Sequence, residues 1–173
     1  MVRAALSSPG RFSQGPTPFA LFVPAATVVA ASLLAALPIV STSGWYPNFG
    51  YLVLIGRRLL RADPWPPWWA APLGFVNDLF TGYPIGFSVA LWSATMLALD
   101  LIDRRTMWRD YWIEWVLAAV LIAIDQGLQW RIAEAAGAAP EISRMAPPLI
   151  ISICVFPVVA WVISRIDAWR LGR

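Results

Sequence analysis

Asp78 stands in the run Pro72-Leu73-Gly74-Phe75-Val76-Asn77-Asp78-Leu79-Phe80-Thr81-Gly82-Tyr83-Pro84-Ile85-Gly86, where Gly74, Asp78, Gly82 and Gly86 recur every four residues. Residues four apart share a helix face, so Gly74 and Asp78 would lie together, and small residues beside a carboxylate let a second backbone approach closely. The chemistry open to this set, with Asn77 and Pro84, is binding. The carboxylate either caps a turn or bonds a neighbouring helix, or it receives a partner or ligand. A second polar group, Asp125, Gln126 and Gln129, falls on little more than one helical turn. It either lines an interior pocket or sits at one end of its helix.

Catalysis is poorly provided for. The 173 residues contain no histidine, the commonest general base and metal ligand. Cys154 is the single cysteine, which excludes an intrachain disulfide and a cysteine zinc cluster. Set between Ile153 and Val155, it reads as a buried packing thiol. No enzyme activity, metal or cofactor is expected: a lipid-modifying enzyme lacks its nucleophile and base, and a channel its ring of charges.

The elements that position these groups follow from composition. Hydrophobic residues make up 59% of the chain and charged residues 13%, against about 25% charged in soluble domains. The chain reads as an all-α integral membrane protein, with spans at about 19–40, 46–60, 66–81, 84–102, 111–130 and 145–164. Tails 1–18 and 165–173 flank a membrane domain reaching to about 168. The first apolar stretch is too long for a cleaved signal peptide. A stretch of about 20 residues crosses a hydrocarbon core of about 30 Å. The second and third spans are short, so Arg57 and Arg58 are expected to snorkel to the headgroups. Pro157 predicts a kink in the last span.

All thirteen basic residues are arginine. With the N-terminus inside, eleven fall on the cytoplasmic side and only Arg131 and Arg144 on the other, which supports six spans with both termini cytoplasmic. The basic balance therefore records topology, with attraction to anionic lipid as a side effect and no nucleic-acid partner. Asp100 and Asp103 beside these arginines suggest interfacial salt bridges. Trp45, Tyr46, Trp65 to Trp69, Trp108, Trp112 and Trp115 read as interfacial aromatics. Thr27, Ala31 and Ala35 in the first span, and Ala90, Ala94 and Ala98 in the fourth, form small-residue stripes. Packing within the monomer is their first expectation and a partner's single span the second.

Pro47-Asn48 before the second span and the run Gly74 to Gly82 followed by Pro84-Ile85-Gly86 give the chain a resemblance to the rod shape-determining protein MreD family. Its motif is similar to G-x-x-x-D-(hydrophobic)-x-x-G-x-x-x-G at the third and fourth spans. The resemblance covers about fifteen residues specifically and most of the chain loosely. It implies a six-helix architecture similar to the S components of energy-coupling-factor transporters. It also implies a non-catalytic subunit of the bacterial inner membrane that helps maintain cell shape by organising lateral peptidoglycan synthesis. Its direct partner would be the single-span protein MreC, with MreB, RodA and penicillin-binding protein 2 in the wider complex. The alternative is an S-component-like module that binds a small molecule or lipid. Gly74, Asn77, Asp78, Gly82, Pro84, Gly86, Asp125 and Gln126 are the candidate partner or cavity residues.

Overall fold

A computed structural model describes residues 18–34, 47–60, 66–105, 111–137, 141, 143 and 145–170. The described residues form six α-helices and no strand: α1 (Pro18–Leu33), α2 (Phe49–Leu60), α3 (Ala70–Thr81), α4 (Phe87–Arg105), α5 (Tyr111–Ala135) and α6 (Ala146–Arg170). A single 3-10 turn, Pro67–Trp69, leads into α3. The readings made for Ala35, Trp45, Tyr46, Trp65 and Trp108 lie outside the described residues.

Helix ends are set by particular residues. Asn48 caps α2: its side-chain oxygen accepts the Tyr51 N–H at 3.2 Å, and its carbonyl accepts the Leu52 N–H at 3.0 Å. Gly82 ends α3 in the left-handed region at φ 70°, a conformation other residues adopt only with strain. The last two helices are longer than the sequence suggested. α5 runs on through Arg131 to Ala135, and α6 continues to Arg170, taking in much of the expected C-terminal tail. α6 continues as one helix through Pro157. Both helices are long and apolar enough to cross a membrane.

Short α2 is the hub of the bundle. It packs against α1, α4, α5 and α6, and it is buried on almost every side from Gly50 to Leu59. α3 packs mainly on α4 and also on α1. Tyr51, Leu54 and Ile55 of α2 join Trp92, Met96 and Leu99 of α4 and Ile122 of α5 in the core. The outside is apolar as well: Ile85, Trp112, Trp161 and Trp169 are each more than 60% exposed. An exterior of this kind is unusual for a protein surrounded by water.

Candidate functional site

The motif around Asp78 builds the hairpin between α3 and α4. Asp78 is 2% exposed. One carboxylate oxygen accepts the Gly86 N–H at 2.8 Å and the other the Ser88 N–H at 2.9 Å. Both donors belong to the start of α4, where the first N–H groups lack helical acceptors and the helix dipole favours an anion. A carboxylate on one helix thus caps the next. The turn between them is closed by the Phe87 N–H on the Pro84 carbonyl at 3.0 Å, and Gly86 sits at φ 101°.

Gly74, one helical turn before Asp78, lies against the backbone of α4. A Cβ at this position would meet the Ser88 carbonyl oxygen at 2.6 Å and the Val89 nitrogen at 2.8 Å. The two residues therefore act together, one allowing the close approach and the other bonding across it. This favours the capping role of Asp78 among the alternatives open in the sequence. Gly82 and Pro84 are exposed in the turn and Gly86 is half-buried.

Asn77 reaches the other way, into the centre. It donates to the Ser88 hydroxyl at 3.0 Å. Its oxygen faces Gly50 of α2, where a Cβ would come within 2.8 Å of it and collide with the Ser32 hydroxyl of α1. Both the Asn77 oxygen and the Ser32 hydroxyl are buried without a hydrogen-bond partner among the described residues. Beside them the Trp92 ring stacks on Tyr51 at 6.1 Å between centroids, and the Tyr51 hydroxyl shares a 2.8 Å hydrogen bond with Thr95.

Asp125 and Gln126 belong to a separate locus on α5. Asp125 is 2% exposed. Its Oδ2 accepts a hydrogen bond from Gln129 Nε2 at 2.9 Å, and Gln129 Oε1 accepts one from the Tyr83 hydroxyl at 2.8 Å. This chain ties α5 to the turn after α3. Gln126 is buried next to Asp125 on the same helix. The eight candidate residues thus divide into the α3–α4 hairpin and the polar turn of α5, linked through Tyr83 and Gln129.

Two arginines do not snorkel. Arg57 and Arg58, at the end of α2, are 6% and 8% exposed. Arg57 pairs with Asp167 of α6 at 2.9 Å and donates to the Thr27 hydroxyl of α1 at 3.0 Å. Arg58 pairs with Asp103 at 2.8 Å and with Asp100 at 3.4 Å, both on α4. The central position of α2 puts its C-terminal turn inside the bundle, where a guanidinium needs carboxylates in place of water. The sequence reading missed Asp167 because it lies 110 residues from Arg57; Asp100 and Asp103, three apart on one helix face, were the visible signal.

Other readings are corrected on the outer surface. Ala90, Ala94 and Ala98 face outward from α4 instead of packing inside the monomer. Cys154 is exposed on α6, because Ser152 and Phe156 take the inward positions on either side of it. In α1, Ala31 is buried as expected while Thr27 bonds Arg57. A groove of about 470 Å³ runs between α1, α2 and α6, with apolar walls that include Ala30, Val53 and Val159. Among the described residues no three of His, Cys, Asp or Glu gather to hold a metal ion. Compared with known proteins, the chain matches no family model, no curated protein and no solved structure.

Proposed function

We propose that this chain is a non-catalytic, six-span scaffold of the bacterial inner membrane that belongs to the cell-elongation complex and binds the single-span protein MreC. The observation that carries this reading is the hairpin of α3 and α4. The motif that resembles the MreD family's ties it together from within, through Asp78 on the Gly86 and Ser88 amides and Gly74 on the Ser88 backbone. Its outer faces are apolar, with Phe75 and Leu79 on α3 and Leu97 and Leu101 on α4 exposed. Ala98 lies between the leucines, and Ala94 and Ala90 one and two turns before Leu97, a low relief that lets a partner helix come close. An internally bonded hairpin with an apolar outer surface suits docking within the bilayer better than it suits chemistry. MreB, RodA and penicillin-binding protein 2 would then be reached through MreC.

The test is retention of the partner. A photo-crosslinking residue at position 94 should capture a co-expressed single-span MreC. Ala94→Trp should lower the amount of MreC retained after mild detergent extraction at least several-fold, while Leu128→Trp on α5 should not. A wild-type chain that captures no MreC, or equal losses from the two substitutions, would overturn the reading.

A further inference from the structure

Asp125 is a buried carboxylate with one oxygen that has no hydrogen-bond partner among the described residues. Its Oδ2 is held by Gln129, but its Oδ1 has no hydrogen bond and is cut off from the surroundings at 2% residue exposure. The other buried acids are differently placed. Asp78 is bonded through both oxygens to amides at a helix start, and Asp167 is paired with Arg57. Arg131, the nearest arginine along α5, pairs with Glu134 on the exposed side of the helix.

Among the described residues no arginine is paired with Asp125. Tyr51 of α2 is a titratable group within electrostatic reach of it. Tyr51 is itself bonded to Thr95 of α4, and Gln129, which bonds Asp125, is bonded to Tyr83 in the turn after α3. The charged side chains of α4 and α6 cluster at the other end of the bundle: Asp100 and Asp103 with Arg58, and Asp167 with Arg57. A charged oxygen that is buried and unpaired is strongly disfavoured, and its simplest partner is a proton.

We infer that Asp125 is an exchangeable-proton site, binding the proton on Oδ1 and thereby making the tie from α5 through Gln129 to Tyr83 sensitive to protonation. The assignment to Oδ1 follows from geometry, since Oδ2 already accepts from the Gln129 amide. Uptake forms one O–H bond on a neutral carboxyl, and release returns the proton to water and leaves the carboxylate. Gln129 then donates to a charged acceptor, a stronger bond. The protonation state is in this way felt at the turn that carries Gly82, Pro84 and Gly86. The inference does not depend on which partner the chain binds.

Infrared difference spectroscopy of the full-length protein in lipid, stepped in pH, tests this directly. The wild type should show the C=O stretch of a protonated carboxyl in an apolar setting, disappearing as pH rises and missing from Asp125→Asn. Should Asp125→Asn fail to fold, the wild type itself can be treated with dicyclohexylcarbodiimide, which modifies protonated carboxyls inside membranes. The adduct should map to the peptide holding Asp125 and not to that holding Asp78, and its yield should fall with rising pH. Absence of both the band and the adduct at every pH where the protein stays folded would overturn the inference. So would loss of the band on adding sodium chloride at constant pH, which would assign the site to a metal cation.

Discussion

Asp78 and Gly74 show how little of a polar residue's meaning lies in its type alone. An aspartate inside an apolar helix is expensive unless something receives it, and here the receivers are the two backbone N–H groups of Gly86 and Ser88. Asp78→Ala removes both acceptors and should destabilise the protein by about 3 kcal/mol, given about 1.5–3 kcal/mol for a hydrogen bond to a charged group. Asp78→Asn retains one acceptor and should lose about half as much. Thermal unfolding in detergent measures both, and equal melting temperatures for the wild type and Asp78→Ala would remove the cap from the account. Gly74→Ala meets backbone that cannot step aside, so its loss should fall at the upper end of roughly 1–3 kcal/mol. Gly56→Ala is the matched contrast. Its one close contact is the end of the flexible Ile163 side chain at 2.7 Å, with Phe156 at an ordinary 3.8 Å, so it should be tolerated far better.

At the scale of elements, α2 determines how the others are arranged. A helix that touches α1, α4, α5 and α6 has almost no outer face, so its polar ends must find partners inside. In the proposed membrane setting the hydrophobic effect would contribute little to helix association, which would leave close packing at Gly50 and Gly74 and the interhelical polar bonds to hold the bundle. Arg57 with Asp167 is the pair that should matter most, because both side chains are under 10% exposed. A double-mutant cycle with Arg57→Met and Asp167→Asn should give a coupling of about 3 kcal/mol, the lower range for breaking a buried pair. The same cycle on Arg131 and Glu134, which are 70% and 47% exposed, should give less than about 1 kcal/mol. Similar values for the two pairs would mean that the inner end of α2 is wetter than its burial indicates.

For the whole molecule, the apolar exterior and the arginine distribution bear on the same question of orientation. α5 and α6, 25 residues each, are consecutive and packed together, so in the proposed six-span arrangement the connection between them and the end of α4 should lie on opposite sides of the bilayer. In a Cys154→Ser background, Ser143→Cys and Arg104→Cys should react with a membrane-impermeant maleimide from opposite faces, in right-side-out and inverted vesicles respectively. Native Cys154, exposed on the outer surface of α6, should react with an apolar maleimide and resist the impermeant one. Labelling of positions 143 and 104 from the same face would rule out the six-span arrangement.

Composition, the apolar runs and the four-residue spacing of Gly74, Asp78, Gly82 and Gly86 were enough to indicate an all-helical chain and a turn near Gly82, because hydrophobic length and glycine conformation are local properties. The pairing of Gly74 with Asp78 on one face was legible for the same reason. The inward turn of Arg57, the outward turn of Cys154 and Ala94, and the isolation of Asp125 were not. Each depends on which helix stands opposite, and that is decided by contacts such as Arg57 with Asp167, made across 110 residues of chain. Periodicity shows that a helix has faces, but only the packing of α2 among its neighbours decides which of them become the interior, where a charge must be paired, capped or neutralised.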